Sequence, residues 1–88
     1  MITEEQAIAI AEELLETEIR PWIAEEVVLV TSATVRTEAF WVFFFNSRVF
    51  IETGALSHTL VGNGPIVVAV QDGAVTQLGT ASPWQEQV

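Results

Sequence analysis

The chain has no cysteine, no lysine and a single histidine. Without cysteine there is no disulfide and no thiol chemistry. A small secreted domain usually needs such staples, so the expectation is a cytoplasmic protein. The first residues, Met1-Ile2-Thr3-Glu4-Glu5, carry neither a basic region nor a long apolar segment and do not read as a signal peptide. The apolar runs fall far short of the roughly 20 residues a membrane helix needs. Three arginines, Arg20, Arg36 and Arg48, stand against twelve acidic residues, for a net charge of −9. That balance argues against nucleic acid, whose phosphates demand the opposite sign, and against an anionic membrane surface. It steers the chain toward a basic partner, or else serves only to keep a small apolar domain soluble.

The inventory for catalysis is thin. His58 follows Ser57, and Asp72 lies elsewhere in the chain, but neighbours in sequence do not supply the geometry of a triad. One histidine and scattered glutamates do not suggest convergent metal ligands. Gly62-Asn63-Gly64 lacks the Lys-Ser/Thr of a phosphate loop and precedes a strand, so it reads as a turn fixed by Pro65. The expectation is a protein that is not an enzyme and holds no cofactor or metal.

What is present is apolar and aromatic. Half of the 88 residues are hydrophobic, enough for one small domain over residues 1–88. The stretch from Ala39 to Gly54 holds all five phenylalanines and Trp41. Ala39 to Phe45 is apolar throughout and reads as a strand that needs cover on both faces. Phe40, Val42 and Phe44 point one way, and Trp41, Phe43 and Phe45 the other. The strand is expected to continue through Phe50 and Ile51, with Asn46-Ser47-Arg48 as a bulge or bend.

Upstream, Thr3 and Gln6 stand at capping-box spacing before a helix. Its apolar stripe is Ala7, Ile8, Ile10, Ala11, Leu14, Leu15 and Ile19, and Arg20-Pro21 should stop it. Half of the acidic residues, Glu12 and Glu16 among them, lie on its other faces as a solvated or a docking surface. Trp22 and Ile23 are expected to pack the helix end onto the sheet. Val27 to Arg36 reads as one strand and Thr37-Glu38 as a hairpin tip. Residues 53–64 read as a loop tucked down by Leu56, Leu60 and Val61, with Glu52 capping it or contacting a partner. Ile66 to Val70 should be a central strand beside the aromatic one. Asp72-Gly73 is a turn, Ala74 to Leu78 an edge strand, and Trp84 sits in an uncapped tail. The fold class is therefore α+β: an N-terminal helix on a four-stranded antiparallel meander, a two-layer sandwich.

Several of these segments together form a pattern. An aromatic strand runs into Arg48-x-Phe50-x-Glu52-Thr53-Gly54, then Leu60-x-Gly62-Asn63-x-Pro65, an Asp72-Gly73 turn, and Leu78-Gly79-Thr80-Ala81-x-Pro83. In this ordered series, over about half of the chain, it resembles the immunity protein 35 family, also called the YrhB family. The resemblance implies a small bacterial α+β protein that binds and neutralises a cognate toxin, often of papain-like peptidase or deamidase type, encoded nearby. It places the family's characteristic tryptophan at Trp41. On this reading the partner contacts are Trp41, Phe43, Glu52, His58, Asn63, Trp84, Glu12 and Glu16. The alternative is a heat-stable, chaperone-like protein acting through an exposed apolar sheet face. A homodimer closing that face is compatible with either.

Overall fold

The computed structural model describes residues 1–60 and 62–88. Helix α1 (Glu4–Leu14) starts where the capping box places it. The Gln6 amide donates to Thr3 Oγ1 at 3.2 Å, and the Thr3 amide donates to Gln6 Oε1 at 2.8 Å. The helix widens into a π turn over Leu15–Ile19 and tightens into a 3-10 turn over Arg20–Trp22. The buried residues are Ala7, Ala11, Leu15 and Ile19, a strict four-residue repeat. In an ideal α-helix such a repeat drifts about 40° per step. The wider π turn removes the drift of the last step, and so keeps Ile19 in the core.

The sheet is the expected antiparallel meander, with one break. Strands β2 (Val35–Arg36), β3 (Phe40–Phe43), β5 (Ile66–Ala69) and β6 (Val75–Gln77) lie side by side in chain order. Strands β1 (Val27–Leu29) and β4 (Phe45–Ser47) pair as a separate two-stranded ladder. The single strand expected over Val27 to Arg36 is therefore interrupted. Leu29 faces Phe45, whereas Val35 faces Val42: six steps along one strand answer three along the other. A 3-10 turn at Thr31–Ala33 takes up the three extra residues. Beyond it the hairpin tip closes with Thr37, whose amide donates to the Phe40 carbonyl at 2.8 Å.

The aromatic strand does not continue past Ser47. Ser47 caps helix α2 (Arg48–Thr53), accepting from the Phe50 amide at 3.0 Å. Gly54, in the left-handed region at φ +71°, ends that helix, with its amide on the Phe50 carbonyl at 2.7 Å. Thr53 makes the local turn expected of Glu52: its Oγ1 accepts from the Ala55 amide at 3.2 Å. A 3-10 turn over Leu56–His58 follows. At the other hairpin Gly73 has φ +77°, and the Ala74 amide donates to Asp72 Oδ1 at 3.0 Å. The tail is also ordered: Trp84–Gln87 forms a short helix α3, and Gln87 Nε2 donates to the carbonyls of Gly79 and Ser82, each at 2.9 Å. No helix among the described residues is long and apolar enough to cross a membrane.

Helix α1 covers the face of the sheet that carries Trp41, Phe43 and Phe45, which join Ile66, Val68 and Val70 in one core with the helix stripe. On the opposite face Val42 is 0% and Val67 2% exposed, so the centre of that face is closed too. Phe40 and Phe44 on it are half-buried. Two expectations about packing are corrected. Trp22 does not pack onto the sheet but is 85% exposed, while Ile23 beside it joins the core. Leu56 does not tuck its loop down but is 78% exposed, a task left to Leu60. Val61 lies outside the described residues.

Candidate functional site

One end of the molecule is built from three segments: the last turn of α1 with its connector (residues 12–26), helix α2, and the turn at Leu56–His58. Polar contacts hold them together. Arg20 is the first anchor. Its Nε and Nη2 donate to the Val27 carbonyl at 3.1 and 2.8 Å, and its Nη1 reaches Glu16 at 2.7 Å and Glu12 at 3.3 Å. Partial burial alone would lower the pKa of Arg20, but its hydrogen bonds and charge pairing with Glu16 and Glu12 outweigh this and raise it. Arg20 is therefore a cation at any ordinary pH.

The second anchor joins the connector to α2. The Arg48 amide donates to the Glu26 carbonyl at 2.8 Å, and Arg48 Nε pairs with Glu26 Oε2 at 2.6 Å. The third joins the connector to the following turn, where His58 Nδ1 pairs with Glu25 Oε1. The turn is also pinned from beneath. Fully buried Ser47 donates its hydroxyl to the His58 carbonyl at 2.5 Å, while Asn46 Oδ1 accepts from the Leu60 amide at 2.9 Å. Ser47 thus binds the backbone of His58 and not its ring, and the ring meets Glu25, not Ser57 or Asp72. No group of three or more potential metal ligands occurs among the described residues.

Glu12, Glu16 and His58 all belong to this pinned assembly, and Glu52 is exposed on α2 within it. Asn63 and Trp84 lie on other segments of the chain. Asn63 is exposed beside Gly64, which packs against Leu78, and half-buried Trp84 heads the helix whose Gln87 grips Gly79. Trp41 and Phe43 are 5% and 0% exposed, so as core side chains they are out of a partner's reach in this conformation. Trp41 is further covered by the Arg36 guanidinium, 4.8 Å from its ring centroid. Sequence reasoning missed Trp22 as a surface residue. Its one signal was the preceding Pro21, which ends the regular helix, so that Trp22 falls in the 3-10 turn after it and off the apolar stripe.

All three guanidiniums are thereby engaged, on carboxylates or on an aromatic ring. Glu4, Glu5, Glu13, Glu18, Glu38, Glu52, Asp72 and Glu86 have no ion-pair partner among the described residues, so the outer surface is strongly acidic.

Comparison with known proteins gives two matches. The family described as immunity protein 35 matches residues 5–87. The uncharacterized protein YrhB of Escherichia coli (strain K12) is 41% identical over 46 residues, 52% of this chain and 49% of YrhB. The chain thus spans about half the length of the curated relative it matches. No solved structure matches it. Matched over nearly its whole length, the chain belongs to the immunity protein 35 family.

Proposed function

We propose that this chain is an immunity protein that binds a cognate bacterial toxin, of papain-like peptidase or deamidase type, and neutralises it by protein–protein contact. The family match over residues 5–87 carries this reading. The surface supports it. A net charge of −9, with every arginine engaged within the chain, leaves the outer surface acidic and suited to a basic protein. The reading is of a binder, not an enzyme, and of an inhibitor acting in the cytoplasm, where the toxin would otherwise work. Of the contact residues expected from sequence, Glu12, Glu16, Glu52, His58, Asn63 and Trp84 remain at least partly accessible.

The chaperone-like alternative calls for an exposed apolar sheet face, and the homodimer calls for the same face to close against a second copy. Val42 and Val67, at the centre of that face, are already buried within one chain. The immunity reading needs no such face.

The test is protection. Cells making the toxin encoded beside this chain should stop growing, and co-production of the chain should restore growth. Failure to protect against any toxin domain encoded beside it would reject the reading.

A further inference from the structure

Among the described residues, and leaving aside the first, Met1, Trp22 and Leu56 are the two most exposed large apolar residues. A single exposed leucine is ordinary on any protein. These two are not independent, however. Trp22 lies three residues before Glu25 and Leu56 two residues before His58, and Glu25 and His58 are bonded to each other. The pair joins the two segments that display them.

Neither segment is slack. Trp22 follows Pro21, whose φ is fixed by its ring, and Arg20, which is held by four hydrogen bonds. The Ile23 amide closes the turn around it on the Arg20 carbonyl at 3.2 Å. Leu56 opens a 3-10 turn closed by the Thr59 amide on its own carbonyl at 3.2 Å and tied down by Ser47 and Asn46. Burying an apolar side chain carried on a backbone that is already held costs less ordering entropy than burying one on a slack loop. Tryptophan is also the residue that most often dominates the energy of a protein interface.

The surroundings select the partner. Glu12, Glu16, Glu25, Glu26 and Glu52 belong to this end against Arg20 and Arg48, so it keeps an excess of negative charge even with both guanidiniums paired, and Glu52 has no ion-pair partner among the described residues. A second copy of the chain would bring an acidic rim against an acidic rim, with no free guanidinium to answer it. Nucleic acid is repelled for the same reason. The charge complement is a lysine- or arginine-rimmed apolar pocket on another protein.

We infer that Trp22 and Leu56 are paired apolar anchors by which this chain docks a basic protein partner, with unpaired Glu52 and the excess negative charge of this end meeting the partner's cationic rim. This rests on the immunity reading and names the surface that serves it. The probe is the toxin domain encoded beside the chain, in a catalytically inactive form. Its affinity is measured by calorimetry for the unmodified chain, Trp22→Ala, Leu56→Ala and, as control, Val75→Ala at the exposed β6 edge. Trp22→Ala should weaken binding about 30-fold or more, and Leu56→Ala about tenfold. Val75→Ala should stay within about twofold. Hydrogen exchange on the unmodified complex needs no variant, and should show protection at residues 22–26 and 55–58. If the unmodified chain binds but both variants bind within about threefold of it, or the protection falls elsewhere, this surface is wrong and the immunity reading stands. If the unmodified chain does not bind, both fail. Self-association that Trp22→Ala abolishes would assign the surface to a second copy and overturn the inference.

Discussion

Ser47 and Gly64 are small, and each is fixed by a different constraint. Ser47 is fully buried and does two jobs with one hydroxyl, capping α2 and donating to the His58 carbonyl. Ser47→Ala removes the cap and leaves a carbonyl without its partner. It should cost about 2–3 kcal/mol in urea unfolding. Gly64 is limited by space. A Cβ there would lie 1.9 Å from the Leu78 carbonyl oxygen, a backbone atom that no rotamer change can move. Gly64→Ala should therefore force the β5–β6 ladder apart, at a cost of about 3 kcal/mol. Gly62 makes the contrast. It has φ +76° and open space around it, so Gly62→Ala should cost only about 1 kcal/mol, the strain of the left-handed backbone. Thermal unfolding of the two glycine variants side by side separates the two causes.

Among the elements, the hairpin from Val27 to Ser47 yields the sharpest prediction. Its two ladders differ in register by the three residues of the Thr31–Ala33 turn. Deleting those three residues restores one continuous register and preserves which face each side chain occupies. The shortened chain should fold, and NMR should still show Val35 opposite Val42. Loss of that pairing would mean that the turn is required to bend the sheet. This break could not be read from sequence, because Val27 to Val35 is rich in β-branched residues on both sides of it. Helix α2 was hidden for a similar reason: Val49, Ile51 and Thr53 favour strands. Its caps, Ser47 and Gly54, decided the outcome and were legible in retrospect. The Thr3–Gln6 box and the Asp72-Gly73 turn were readable because each is chemistry within a few residues. The candidate site was only half legible. Its acids and His58 stood out by type. The Glu25–His58 pair spans 33 residues and leaves no local trace, and Trp22 looked like a core residue because large apolar side chains usually are.

The whole molecule is an acidic shell around an apolar core that draws on both faces of β3. The helix closes one face, and the centre of the other is closed within the same chain, so the aromatic strand that dominates the sequence is scaffold. The surface proposed for a partner is the pinned end with its exposed apolar residues and its acids. Exposed carboxylates act over distances that salt screens, so an encounter driven by them should weaken as ionic strength rises. The most direct test is a calorimetric titration of the unmodified chain into the inactivated toxin encoded beside it, at low and at near-molar salt. The expected result is a one-to-one complex that is tight at low salt and clearly weaker at high salt. Protection of cells without any such complex, or a complex indifferent to salt, would contradict it.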